Sequence, residues 1–403
     1  MGKKLEARYR NLGRIMECLY RNRKTSRVQI AETTGLTPAA VTNLIAELQR
    51  LGVVEETGDE ERIERGGGRS RKLIRLCRDW AVFLGIGLSN SGLWIMAADM
   101  EGRPLYKKGL GVHDYDPDQI NEVIIQLIAE ARAALEGRPV LTGGITLPGH
   151  YREEDGTIVT NNPRWRAFRL PLIEQAAGLR LAAENSIESM ALAEYLFHES
   201  ASPERFLFLH AGPGLYASFF SREQFGKPQE AYYQGEIGHT TVDLNGNLCE
   251  CGKKGCLQTY ISDTWLIRRA QDFWDHAPAS ALHSMVSERA DIQVSHIVKA
   301  ARMGDAYLQQ LLETGIAYLA MAASNTLILH PVDKIYVDSL LLQEEIFREQ
   351  FEKQVRANLT FVPARQPIRI EIVPFDYYRY PRGAVALAIW QALIARPDTV
   401  FGD

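Results

Sequence analysis

The chain has 403 residues, enough for two or three domains and a sizeable core. It carries 46 Lys+Arg against 50 Asp+Glu and five cysteines. No 18-residue apolar run and no signal-peptide pattern speaks for a membrane or exported protein, so a soluble cytoplasmic protein with no membrane partner is expected.

The net charge of −4 hides an asymmetry. Residues 1–78 hold 17 Lys+Arg and 10 Asp+Glu, net +7; the remainder holds 29 and 40, net −11. A basic head on an acidic body suggests a polyanionic partner for the head alone.

In the head, Leu12, Ile15, Met16 and Leu19 have the spacing of one helical face. Ser26 and Gln29 form a candidate capping box for a short helix that ends at Gly35. Thr37 can cap the next helix, with Pro38 first inside it and Val41, Leu44, Ile45 and Leu48 as its buried stripe. Ala31, Gly35 and Val41 are spaced as in a helix-turn-helix. The second helix would then expose Thr37, Ala39, Ala40, Thr42, Asn43 and Ala46, short side chains suited to major-groove edges and thymine methyls. Gly66 to Lys72, with Arg69, Arg71 and Lys72, reads as a wing tip or arm for phosphates or the minor groove. The acidic run Glu55–Glu64 argues against the whole hairpin lying on DNA. A winged helix-turn-helix that reads double-stranded operator DNA is expected, and such readers bind two half-sites as dimers.

From residue 79 the pattern alternates. Strands are expected at Phe83–Leu88, Leu93–Asp99, Val140–Leu147, Leu179–Ala183, Phe206–His210, Lys334–Val337 and Ile368–Val373. Helices are expected at Ile120–Ala134, Glu188–Phe197, Leu311–Leu329 and Gly383–Ile394. This is an α/β body. Within it, His239, Cys249, Cys251 and Cys256 fall in eighteen positions, among turn-forming Gly246, Gly252 and Gly255. Three thiolates and an imidazole fill a tetrahedral zinc shell and leave no position for a catalytic water, so the zinc expected here is structural.

The stretch G-E-I-G-H, Gly235 to His239, followed by C-x-C-x4-C resembles the signature of the ROK family (repressor, open reading frame, kinase). The resemblance covers about residues 80–400. It implies a two-lobed actin-like, ribonuclease H-like sugar-kinase fold with a sugar cleft between the lobes. The sugar-responsive repressor branch, of the xylose- and N-acetylglucosamine-repressor type, carries an N-terminal winged helix besides. The domains expected are 1–78 for DNA, 79–186 completed by helix 383–396 as first lobe, and 187–382 as second lobe with the zinc knuckle at 235–258.

The kinases of that family carry phosphate hairpins like G-I-D-x-G-G-T and G-T-G-x-G-x-G. Here these positions read Gly85-Ile86-Gly87-Leu88-Ser89-Asn90-Ser91 and Gly212-Pro213-Gly214-Leu215-Tyr216-Ala217-Ser218. A later glycine pair is Asp338-Ser339, and the catalytic aspartate is Ser186. Loss of a general base alone costs roughly 10²–10⁴ in rate, and Glu188 is poorly placed to replace it. The sugar side is better kept. The resemblance assigns sugar contacts to Asn161, Asn185, Glu236 and His239, with Gln258 where many relatives have a carboxylate. His239 would serve both zinc and sugar, the metal fixing its tautomer. The reading is a sugar-responsive transcriptional regulator, a repressor without kinase activity. The alternative is an active ATP-dependent sugar kinase with an appended DNA-binding domain.

Overall fold

The structure, a computed structural model, describes residues 2–61, 71–160, 162–227, 235–361 and 367–402. It divides into two compact units, residues 1–202 with 377–403 and residues 203–376.

The first unit opens with α1 (Gly2–Asn22), whose Leu12, Ile15, Met16 and Leu19 are fully buried. Strand β1 (Lys24–Ser26) leads into α2 (Arg27–Thr34). The capping box forms as expected: Gln29 N donates to Ser26 Oγ at 3.3 Å, and Ser26 N donates to Gln29 Oε1 at 2.9 Å. Gly35 ends α2 in the left-handed region, φ +65°. Thr37 then caps α3 (Pro38–Arg50), accepting from Ala40 N, and Val41, Leu44, Ile45 and Leu48 face inward. β2 (Val54–Glu61) and β3 (Arg71–Leu76) pair antiparallel, with β1 on the far edge of β3. This is a winged helix-turn-helix.

The same unit continues through β4 (Val82–Ser89), β5 (Gly92–Ala98), β6 (Pro104–Gly111) and α4 (Ile120–Ala134). Then come β7 (Val140–Leu147), the small hairpin β8 (His150–Arg152) and β9 (Thr157–Val159), α5 (Leu170–Ala177), β10 (Leu181–Asn185) and α6 (Ser186–Phe197). The sheet runs β10-β7-β4-β5-β6, antiparallel through β4-β5-β6 and parallel through β4-β7-β10. Ile86, Ile95 and Ile145 of the sheet meet Ile124, Leu127 and Ile128 of α4 in the lobe core.

The second unit is built on the sheet β12-β11-β13-β14: β11 (Arg205–Ala211), β12 (Leu215–Ser221), β13 (Lys334–Ser339) and β14 (Arg369–Ile372). Its helices are α7 (Gln258–Ile261), α8 (Asp263–Trp274), α9 (Val294–Arg302), α10 (Ala306–Leu329) and α11 (Glu345–Asn358). By length and composition α10 could cross a membrane, but it is the central helix of this unit's core, burying Leu312, Ile316, Leu319 and Ala323.

The chain returns to the first unit with α12 (Arg379–Ile389), a π-helical turn (Trp390–Ala395) and α13 (Asp398–Phe401). α12 lies in a trench cut by glycines. A methyl group on Gly85, Gly87 or Gly144 would meet Pro381 O, Tyr380 Cβ or Ala384 O at 2.0, 2.4 and 2.1 Å. The turn after it receives α1: a methyl group on Gly13 would meet Ile394 O at 2.2 Å. Trp80 adds a stack on Phe401 and donates from Nε1 to Leu51 O. The head is therefore fastened along its first helix, not hung on a linker. α6 packs with α12 and α1, so the chain leaves this unit after Ser202, later than the boundary expected at 186/187.

Candidate functional site

The group that could hold a metal ion is built from two tight segments. Glu236 begins the short 3-10 turn Ile237–His239, and the bridges Thr241↔Cys256 and Leu248↔Lys254 fold the knuckle back on itself. Gly255 carries φ +69°, and any Cβ there would strike Asp243 O. His239 Nδ1 lies 3.7 Å from Cys249 Sγ, and Cys251 Sγ lies 3.6 Å from Cys256 Sγ. All four ligand atoms fall within 4.8 Å of one another. Zn–S bonds of about 2.3 Å give tetrahedron edges near 3.8 Å, so this set fits a zinc ion. The sulfurs are too far apart for a disulfide, and all five cysteines are free thiols. Burial, then the Lys253 charge, lowers the His239 pKa and favours the neutral ring a metal requires.

Gln258 lies beneath the cluster. It is buried, and its Nε2 donates to Cys249 Sγ at 3.4 Å and to Glu250 Oε1 at 2.9 Å. The amide thus supports the knuckle, a role its sequence position does not reveal.

Glu236 is pushed up to about 7 by burial. A raised carboxyl favours the protonated folded form. Its contribution to stability is present at low pH and lost as pH climbs from the ordinary value of 4.5 through about 7. If Glu236 accepts hydroxyls from a sugar, the ionised form binds. Sugar affinity should then rise with pH up to about 7, with a proton released below it. Calorimetry between about pH 5.5 and 8 should show this, and Glu236→Gln should flatten it. A flat profile in the unaltered protein would remove Glu236 from the ligand set.

In the first unit, Asn185 caps α6: its Oδ1 accepts from Ile187 N at 2.8 Å, and its Nδ2 donates to Gly149 O at 3.0 Å. Asn161 lies outside the described residues.

The segments that the resemblance aligns with the kinases' phosphate and base motifs are tightly packed by this chain's own atoms. Gly87 is pressed against Tyr380 and Pro381. Ser186 is buried and donates to Leu147 O at 2.9 Å, which an ionised carboxylate cannot do. At the loop Gly212–Gly214, a methyl group on Gly212 would meet His210 Nε2 at 2.8 Å, and one on Gly214 would meet the Tyr216 ring at 2.9 Å. His210 and Tyr216 stand opposite each other in the β11–β12 register. Asp338 of β13 holds His210 Nδ1 at 2.6 Å, with both side chains buried. That pair joins residues 128 apart, so sequence reading missed it. Gly87→Asp should therefore destabilise the fold by about 1–3 kcal/mol. Gly87→Asp/Ser186→Asp should form no sugar phosphate from ATP; turnover above background would sink this reading of the site.

On the head, Ala39, Thr42, Asn43 and Ala46 are exposed along α3, Ala40 is half-buried, and Thr37 is exposed at its cap. Lys72 pairs with Glu56 at 2.9 Å, Arg27 shares that carboxylate at 3.1 Å, and Arg75 pairs with Glu55. The acidic residues of the wing thus hold its own cations. Arg71 is half-buried at the start of β3; Arg69 lies outside the described residues.

The ROK family model matches residues 85–390, and a winged helix-turn-helix DNA-binding model matches residues 10–55. A xylose repressor of Caldicellulosiruptor bescii is 24% identical over 382 residues, covering 93% of this chain and 94% of that one. The DNA-binding transcriptional dual regulator NagC of Escherichia coli is 24% identical over 364 residues, 87% of each. A crystal structure of a ROK family transcriptional regulator, a homologue of E. coli MLC, superposes with TM-score 0.74 at 24% identity, covering 96% of this chain and 97% of that one. With its actin-like body matched over more than half its length and its winged head in place, this chain belongs to the ROK family.

Proposed function

We propose that this protein is a sugar-responsive transcriptional repressor with no kinase activity, acting in the cytoplasm as a homodimer on a two-fold operator. The carrying observation is that one chain joins a helix-turn-helix to a ROK body whose kinase-motif positions carry Gly87, Ser186 and Pro213 and pack closely against Tyr380, His210 and Tyr216. The sugar ligands proposed are Asn161, Asn185, Glu236 and His239, with Gln258 acting through the knuckle. Zinc at His239, Cys249, Cys251 and Cys256 is structural and fixes the tautomer of His239, whose second ring nitrogen becomes an oriented donor. The DNA contacts proposed are Thr37, Ala39, Ala40, Thr42 and Asn43, with Arg69, Arg71 and Lys72 on the wing.

The similar proteins are named for xylose and for N-acetylglucosamine, so D-xylose, N-acetylglucosamine and D-glucose are the first ligands to try. Calorimetry with each sugar, repeated with a DNA fragment from upstream of the gene, tests the reading. A sugar that binds should weaken DNA binding, and the DNA should weaken sugar binding by the same factor, about 5–150-fold. Equal sugar affinity with and without saturating DNA would overturn it.

A further inference from the structure

The first unit contains a continuous mechanical route from Asn185 to the DNA-reading helix. It begins at the N-terminus of α6. Asn185 uses both ends of its amide to hold that terminus, on Ile187 N and on Gly149 O. α6 is 12 residues long and almost wholly buried, a rod of about 18 Å. Its last turn meets α1 of the head. Tyr195, 1% exposed, donates its hydroxyl to Glu17 Oε1 at 2.6 Å, and Glu17 is itself only 8% exposed. The Arg21 guanidinium lies over the Tyr195 ring at 4.7 Å and donates to Ser202 O at 2.9 Å. Tyr20 packs edge-on against Phe197 at 6.3 Å.

Two features set this contact apart from ordinary apolar packing. A carboxylate and a phenol buried together cannot exchange their partner for water without a desolvation cost, so α1 must follow α6. α1 in turn is tied to the DNA-reading helix, because Arg8 near its start is paired with Glu47 of α3. The same face of α1, one turn earlier, rests through Gly13 on the π-helical turn at Ile394, a local geometry frequent at functional sites.

We propose that α6 carries the sugar signal to the DNA-binding head, with the Glu17–Tyr195 hydrogen bond and the Arg21 clamp on Ser202 as its coupling. The proposal rests on the repressor reading above and on Asn185 as a sugar ligand. A sugar hydroxyl that engages the Asn185 amide competes with the cap of α6. The rod shifts, Tyr195 takes Glu17 with it, and α1 re-aims α3 through Arg8. Tyr195, Glu17 and Arg21 are positioning residues that touch neither sugar nor DNA.

The experiment compares three full-length variants with the unaltered protein: Tyr195→Phe, Glu17→Gln and Arg21→Met. Each is titrated with whichever of D-xylose, N-acetylglucosamine and D-glucose binds, and with upstream DNA at zero and saturating sugar. Tyr195→Phe should bind sugar as the unaltered protein does without DNA, while the sugar effect on DNA affinity falls to about twofold or less. Glu17→Gln keeps an acceptor for the phenol and should keep most of the response. Arg21→Met loosens the clamp without leaving a buried carboxylate unpaired, so it should weaken the response even if Tyr195→Phe folds poorly. Hydrogen exchange over residues 2–22 should change on adding sugar to the unaltered protein and not to Tyr195→Phe. A full response in both Tyr195→Phe and Arg21→Met overturns the coupling and leaves the repressor reading intact. No sugar effect on DNA binding in the unaltered protein overturns the repressor reading, and the coupling with it.

Discussion

Cys256→Ala is expected to purify with zinc reduced from about one per chain to background, because a structural site needs all four donors. Cys256 is completely buried, and its sulfur faces Cys251. Without the ion, the knuckle is left to hydrogen bonds such as its short bridges, the Gln258 contacts and the Lys253 contact to His239 O at 2.8 Å. The thermal midpoint should drop by roughly 5–10 °C, a loss of a few kcal/mol for a body of this size. Sugar affinity should fall about 10–100-fold as His239 loses its fixed tautomer. Gln258→Ala gives the graded version: its amide supports Cys249, so a smaller loss in both measurements is expected. A metal-free Cys256→Ala protein with unchanged melting and sugar binding would mean that these four residues hold no structural metal.

A glutamate at Asn43 or Ala46 should lower operator affinity by at least about 100-fold, with melting unchanged. Both residues are exposed on α3, away from the buried Val41, Leu44, Ile45 and Leu48. A lost base contact is worth about 1–3 kcal/mol, and a carboxylate facing the groove adds repulsion from phosphates. Arg71→Ala should do less and flatten the salt dependence. Deleting residues 1–78 would be a poorer test, because α1 covers Ile394 and Phe197 in the lobe. Unchanged DNA binding by Asn43→Glu and Ala46→Glu would show that α3 is not the reader.

The parts of this molecule that were legible in the sequence are those built from neighbouring residues. The Ser26–Gln29 box, the left-handed Gly35 and the Thr37-Pro38 start of α3 each close within a few positions, so their chemistry is written locally. The four residues that could hold a metal are legible for the same reason. Gly87 shows the limit. In the sequence it is a missing carboxylate; in the structure it is also a floor on which α12 rests, a requirement set by Tyr380 almost three hundred residues later. His210–Asp338 and Glu17–Tyr195 are pairings across 128 and 178 residues, and no periodicity announces them. α11 is a milder case. Phe347, Phe351 and Val355 recur every fourth residue, but the charges between them mask the stripe. The start of α12 at Arg379 was hidden by Pro381, which sits inside its first turn, where a missing N–H costs nothing.

The trench that receives α12 also orders events in time. The head is synthesised well before the turn on which α1 rests. At about 5–20 residues per second the full chain takes roughly 20–80 s to make. Until residues 379–395 are made, the N-terminal helix lacks its seat on Ile394, and the sheet that α12 covers lies open along Gly85, Gly87 and Gly144. A chain cut before residue 379 would lack both α12 and the turn against which Gly13 of α1 packs. Docking of α1 on Ile394 therefore waits until residues 379–395 have been made, so the seat of the head is set by a segment far downstream of it.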